Sequence, residues 1–153
     1  MPNFYIIGDI GNTDIKICVY KNKNIIKKIR LSTNKVNLKY LKKNLNVLRK
    51  YDKKLKQILF CSVVPNCYKK IKNYFKLYFN TNCNELKNLN LSKLLSIKVN
   101  RKQIGSDRLA NAISVIDNKN NYIVVDFGTA TNFDVISANS YNGGVIALSL
   151  IHI

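Results

Sequence analysis

Seven residues near the start of the chain return, without a gap, far along it. Tyr5-Ile6-Ile7-Gly8-Asp9-Ile10-Gly11 aligns with Tyr122-Ile123-Val124-Val125-Asp126-Phe127-Gly128. Each copy is an apolar run that ends in Asp-x-Gly. Hydroxyl or amide residues follow, and then a second apolar run. The interval is far longer than the period of a stacked-repeat solenoid. It points instead to an α/β chain of two related lobes, each opening with the same strand–turn–strand unit. The first lobe is expected over residues 1–104 and the second over 105–153.

The stretches between the copies support this reading. Asn3 to Ile7 reads as a buried strand entering a turn at Gly8-Asp9-Ile10-Gly11. Ile15 to Tyr20 and Asn24 to Leu31 then continue an antiparallel meander, with a turn at Lys21 to Lys23. Leu38, Leu41, Leu45 and Leu48 recur at helical spacing with Lys and Asn between them, the pattern of an amphipathic helix. Gln57 to Val64 reads as a strand. Pro65 suits the first turn of a helix whose apolar stripe is Ile71, Tyr74, Phe75 and Tyr78. Residues 80–103 carry no clear period. A helix is expected over Arg108 to Ile116, and strands over Tyr122 to Asp126, Asn132 to Ser137 and Gly144 to Leu148.

The chain of 153 residues carries a net charge of +18, which raises nucleic acid as a partner. Its make-up argues otherwise. Lysine supplies 22 of the 26 basic residues, whereas recognition of phosphates and bases favours arginine clusters. Lys, Asn and Ile are abundant together, and their codons are rich in A and T, so genome composition accounts for the basicity. The charge reads as a solvated lysine surface. No apolar run is long enough to span a membrane, and the N-terminus lacks the order of a secretion signal. Cys18, Cys61, Cys67 and Cys83 show no metal-binding spacing. Reduced thiols in a cytoplasmic protein are expected.

Glycine and acid are scarce, and they coincide. The six glycines are Gly8, Gly11, Gly105, Gly128, Gly143 and Gly144. Of eight acidic residues, Asp9, Asp107, Asp126 and Asp134 lie in or beside those segments. One Asp-x-Gly is an ordinary hairpin turn; two matched copies at strand ends point to phosphate. Glycine lets the backbone approach an anion. Asn12, Thr13, Thr129 and Thr131 add short donors. An aspartate repels phosphate but can hold a cation that bridges to it. No Walker-type loop is present.

These motifs resemble a known family. Asp9-Ile10-Gly11-Asn12-Thr13 and Asp126-Phe127-Gly128-Thr129-Ala130-Thr131 look like the two phosphate motifs of the actin, sugar-kinase and heat-shock-chaperone superfamily. Gly105-Ser106-Asp107-Arg108-Leu109-Ala110-Asn111-Ala112 resembles the G-x-D-R-x-x-N-A stretch of type III pantothenate kinases. Ser62-Val63-Val64-Pro65 and Tyr141-Asn142-Gly143-Gly144-Val145-Ile146-Ala147 resemble two further segments of that family, in the family's order. The resemblance implies an actin-like (RNase H-like) two-lobed kinase fold. It implies transfer of phosphate from ATP to the primary hydroxyl of pantothenate, the first step of coenzyme A synthesis. Carried over, Asp9, Ile10, Gly11, Asn12, Thr13, Asp14, Ile15, Lys16 and Thr129 would bind ATP. Gly105, Ser106, Asp107 and Arg108 would hold pantothenate, with Asp107 as proton acceptor. Asp126 would bind a monovalent cation, potassium or ammonium, beside the Mg2+ that accompanies ATP. A homodimer is implied too.

The chemistry of these residue types agrees. An alcohol attacks only when its proton has a place to go, and a carboxylate provides one. Arg108 can keep Asp107 ionised or pair with a substrate oxygen. One departure stands out: the family often places a Tyr shortly before G-x-D-R, where this chain has Lys98 or Val99. The alternatives are a non-catalytic transcriptional accessory factor of the same fold, or another small-molecule kinase of the superfamily. The first lobe is expected to be complete and the second only partly present, with residues 148–153 non-native. In this form the chain is expected to lack kinase activity.

Overall fold

A computed structural model of the chain describes residues 3–128 and 130–148. They form two compact units that part between Asn88 and Leu89.

The first unit is built on a five-stranded sheet of order β3-β2-β1-β4-β5. Strands β1 (Phe4–Ile10), β2 (Asp14–Lys21) and β3 (Asn24–Ser32) make the expected antiparallel meander. The β2–β3 turn is tight because Asn22 and Lys23 both take positive φ, 49° and 68°. Turns of that hand match the twist of the flanking strands. Strand β4 (Leu55–Ser62) lies parallel to β1, and β5 (Cys83–Glu85) parallel to β4. Helices α1 (Leu38–Leu45) and α2 (Pro65–Phe79) connect them. Asn37 caps α1 by accepting from the Tyr40 N–H at 2.8 Å, and Pro65 opens α2.

One face of this sheet is closed. Ile6, Ile10, Ile15, Ile17 and Phe60 are fully buried with Leu41, Leu45, Ile71 and Phe75. The leucine stripe outlasts its α-helix. After Leu45 the chain tightens into a 3-10 turn over Asn46–Lys54, which carries Leu48 into the core, while Leu38 stays half exposed. Strand β1 also runs further than expected, through Gly8 to Ile10. A Cβ on Gly8 would lie 2.1 Å from Phe60 Cε1. Gly8 is therefore a close-packing residue inside the strand rather than part of the turn.

The second unit holds a four-stranded sheet of order β6-β9-β8-β7. Its elements are β6 (Ser96–Ile97), α3 (Ser106–Val115), β7 (Asn121–Phe127), β8 (Ala130–Ser137) and β9 (Ser140–Leu148). Strands β7, β8 and β9 form an antiparallel meander, and β6 joins β9 in parallel. That short pairing is why the units part earlier than residue 104, since Ser96 and Ile97 bond alongside Ser140 and Tyr141. Helix α3 covers the sheet face that carries Asp126 and Asp134, with Leu109 and Ala112 fully buried. On the opposite face Ile123, Phe127 and Val145 stay open, at 69%, 73% and 65% exposure. Strand β7 is thus half-covered on one face and open on the other. Among the described residues no helix is long and apolar enough to cross a membrane.

Candidate functional site

The two repeat copies fold as the same device, a hairpin whose turn follows Asp-x-Gly. In the first, Asp9 sits on β1 opposite Lys16 on β2, with Lys16 Nζ 3.9 Å from Asp9 Oδ2. Ile10 and Ile15 flank the turn but point into the core, so they offer only backbone to a ligand. Asn12 and Thr13 are exposed at its tip. Thr33 fastens the turn from outside. Its N–H donates to the Thr13 carbonyl at 2.9 Å and its hydroxyl to the Gly11 carbonyl at 2.8 Å. The Ile10 carbonyl accepts from the Val63 N–H at 3.1 Å, which ties the Ser62-Val63-Val64-Pro65 strand end to the same place. Asp14 pairs with Arg30; that hydrogen bond, with the charge of the guanidinium, holds the Asp14 carboxyl below its usual range.

The second hairpin is one residue shorter. Asp126 lies opposite Asn132, whereas Asp9 lies opposite Lys16. In both turns the glycine N–H bonds inward, Gly11 to the Asp14 carbonyl at 2.9 Å and Gly128 to the Ala130 carbonyl at 3.1 Å. The sequence suggests that the glycine N–H groups face an anion. The fold uses them to close the turns, which leaves Asn12 and Thr13 as the exposed side chains of the first turn. Thr129 lies outside the described residues.

Gly105 precedes α3 in an extended conformation, so Ser106, Asp107 and Arg108 form the helix's first turn. Ser106 is buried. Asp107 is partly exposed, and its Oδ1 accepts from the Arg108 N–H at 2.8 Å. Arg108 turns away from the Asp107 carboxylate. Its Nε donates to Asp134 Oδ1 at 2.8 Å, and its Nη2 lies 2.6 Å from the same oxygen. Tyr141 Oη donates to that oxygen as well, at 2.5 Å. Burial pulls the Arg108 pKa down, but the hydrogen bond and charge of Asp134 outweigh it and leave a net rise. Burial, followed by the bond to Asp134, pushes the Tyr141 hydroxyl well above its usual value. Further along α3, Asn111 Nδ2 donates to Asp126 Oδ2 at 3.1 Å. One helix therefore carries the Asp107–Arg108 turn and steadies the aspartate of the second hairpin.

Sequence reasoning did not single out Asp134, Tyr141, Asn111 or Thr33 as site residues. Asp134 and Asn111 each stood inside or beside a motif that named a neighbour. Tyr141 opened the segment that holds the glycine pair, but nothing in it pointed to Asp134, and Thr33 gave no signal because its bonds run to the distant turn at Gly11 and Thr13. The glycine pair does have a local cause. Gly143 takes φ +99°, and a Cβ on Gly144 would lie 1.9 Å from the Phe133 carbonyl oxygen and 2.7 Å from Arg108 Nη2. The backbone there must stay bare so that the guanidinium can pass over it.

Comparison with known proteins follows the same lines. Among solved structures, a Campylobacter jejuni protein described as a Baf family transcriptional activator superposes with TM-score 0.53 and 19% identity, over 95% of this chain and 55% of that one. A Porphyromonas gingivalis protein described as an N-acetylglucosamine kinase gives 0.53 and 13%, over 92% and 47%. An Aquifex aeolicus Ppx/GppA phosphatase gives 0.51 and 12%, over 94% and 51%. These likenesses establish the actin-like α/β fold. At the level of sequence, a type III pantothenate kinase of Pelagibacter ubique is 57% identical over 143 residues, 93% of this chain and 58% of its own length. One of Ehrlichia canis is 34% identical over 150 residues, 91% of this chain and 56% of its own length. The chain thus spans a little over half the length of these relatives. The sequence profile of type III pantothenate kinases matches residues 5–148 and takes in both hairpins, the α3 turn and the glycine pair, so the chain belongs to the type III pantothenate kinase family.

Proposed function

We propose that the protein phosphorylates pantothenate at its primary hydroxyl with ATP, giving 4′-phosphopantothenate and ADP at the entry to coenzyme A synthesis. The observation that carries this reading is α3. It presents Asp107 in its first turn and binds Asp126 of the second hairpin through Asn111, in a chain of this family.

The pantothenate hydroxyl oxygen attacks the γ-phosphorus of ATP as the bond to the β-bridging oxygen breaks, and ADP leaves. Its proton passes to the Asp107 carboxylate. The first hairpin, Asp9 to Lys16, binds the ATP phosphates; Asn12 and Thr13 supply donors and Lys16 supplies charge. Thr129 belongs to the same ATP-binding set. Gly105, Ser106 and Arg108 shape the pantothenate site beside Asp107. Phosphoryl transfer depends chiefly on alignment and charge neutralisation.

The residues suit weakly held cations. Among the described residues no three His, Cys, Asp or Glu side chains gather into a cage. Each Asp-x-Gly turn offers one carboxylate, a donor set fit for an ion that keeps water or phosphate oxygens as its other ligands. Mg2+ would arrive on the triphosphate near Asp9, and a monovalent cation, potassium or ammonium, would lie at Asp126. Bound there, the cations neutralise charge that builds on the phosphoryl oxygens. Cytoplasmic location and a homodimer complete the proposal. Cys18, Cys67 and Cys83 are free thiols, which suits a reducing compartment.

The test is ADP formation by protein expressed from its full open reading frame, with pantothenate, magnesium and potassium, beside Asp107→Asn. Pantothenate-dependent turnover that the variant loses is the expected result. A folded protein without turnover in potassium or ammonium would replace this reading with the non-catalytic accessory role.

A further inference from the structure

Arg108 belongs to the proposed pantothenate site, but the buried residues that hold it, Asp134 and Tyr141, have no part in the chemistry above. Asp134 is fully buried and Tyr141 nearly so, and the Arg108 side chain is 12% exposed. Three polar atoms converge on one oxygen, Asp134 Oδ1: Arg108 Nε, Arg108 Nη2 and Tyr141 Oη. Asp134 Oδ2 is buried with no hydrogen-bond partner among the described residues. A buried ion pair left partly unsatisfied is a poor way to gain stability, since apolar residues of similar volume commonly do as well or better. Its geometry is specific, however. It spans three elements, from the first turn of α3 to Asp134 on β8 and Tyr141 on β9. Gly144 on β9 is kept bare where the guanidinium crosses.

We infer that Asp134 is a positioning residue for the reaction: with Tyr141 it clamps Arg108, and through Arg108 it fixes the first turn of α3 and the pantothenate-binding edge beside Asp107. This rests on the pantothenate kinase reading. Arg108 is the ideal handle, because its planar fork accepts a fixed orientation that a lysine would not hold. Its backbone N–H bonds Asp107 Oδ1, so a shift of Arg108 is passed to the carboxylate next to it. Small displacements of a positioned group weaken catalysis strongly.

The experiment compares Asp134→Asn and Tyr141→Phe with wild type, in protein from the full open reading frame. KM for pantothenate, KM for ATP, kcat and thermal midpoint are measured for each. Asp134→Asn is expected to raise KM for pantothenate at least about tenfold, as loss of a charged hydrogen-bond partner does, with KM for ATP within about twofold of wild type. Tyr141→Phe keeps the ring and the ion pair, and should shift the same constant in the same direction by about threefold. A purely structural cluster would lower the midpoint and the amount of active enzyme but leave KM unchanged. Unchanged KM for pantothenate in both variants of an active enzyme therefore overturns this inference alone. If Asp134→Asn does not fold, Tyr141→Phe decides by the same criterion. Absence of turnover in wild type would overturn the kinase reading and this role with it.

Discussion

Arg108 Nε and Tyr141 Oη meet on the same carboxylate oxygen of Asp134, at 2.8 and 2.5 Å, inside the second unit. Removing the acceptor strands a guanidinium with little access to water. Asp134→Ala should destabilise the protein by about 3–5 kcal/mol, the range seen when one partner of a buried pair is lost. Replacing both charges, as in Arg108→Met with Asp134→Leu, should recover much of that loss. Urea melts of the single and double variants measure both changes. A double variant no more stable than Asp134→Ala would show that packing, not the stranded charge, sets the loss.

The glycines of the two motifs should separate folding from binding. Gly128 has φ in the ordinary range, and an added Cβ would meet the Ala130 carbonyl oxygen at 3.6 Å, an ordinary contact. Gly128→Ala should therefore change stability by no more than about 0.5 kcal/mol. If the turn admits phosphate closely, the same change should raise KM for ATP at least about tenfold. Paired melting and kinetic measurements check this, and an unaltered KM would remove the second turn from the ATP site.

Gly144→Ala is the opposite case. Its Cβ would overlap the Phe133 carbonyl oxygen at 1.9 Å, and backbone in a sheet has little room to yield. The expected loss is about 3 kcal/mol or more, the upper end of overpacking. A thermal midpoint within two degrees or so of wild type would contradict the tight approach of β8 and β9.

Asp107→Asn removes the proposed proton acceptor while keeping shape. Loss of general-base catalysis is typically worth about 10²–10⁴-fold, and kcat should fall in that range. The thermal midpoint should hold, since Asp107 is partly exposed and its carboxylate accepts from the adjacent Arg108 N–H. A kcat within tenfold of wild type would place the base elsewhere.

Acid should weaken the turn before β7. Asp117 accepts from the N–H groups of Asn120 and Lys119, both at 2.9 Å, and from Tyr122 Oη and Asn120 Nδ2, both at 2.6 Å. The Asn120 backbone bond foremost, then Tyr122, hold its carboxyl far below the usual 3.8. A depressed carboxylate stabilises the fold above its unfolded value and loses that contribution as pH falls through its folded value. Stability should therefore decline as pH drops below about 4, and less steeply in Asp117→Asn. Urea midpoints between pH 5 and 2 test it; parallel slopes would exclude Asp117.

What the sequence disclosed depended on length and repetition. The hairpins were legible because Tyr5–Gly11 and Tyr122–Gly128 repeat, and α2 because Pro65 and its aromatic stripe mark a start and a face. Strands β5 and β6, of 3 and 2 residues, are too short to show a period, so residues 80–103 stayed blank and the division at Asn88 was missed. The motif residues Asp9, Asp107 and Asp126 stood out by scarcity. Asp134 and Tyr141 did not reveal their link, because Ile136 rather than Asp134 is the register partner of Tyr141. Only the irregularity between Asp134 and Ile136 brings the hydroxyl to the carboxylate.

The parallel pairing of β6 with β9 carries a consequence for synthesis. Every pairing in the five-stranded sheet joins residues no later than Glu85, so that sheet can close while the rest of the chain is still being translated. Strand β6 emerges well before β9, its one partner strand among the described residues. Its two residues wait unpaired until the β7–β8–β9 meander leaves the ribosome, and the loop between them closes last. Slowed translation across residues 98–140 would prolong that wait for the second unit and leave the first untouched.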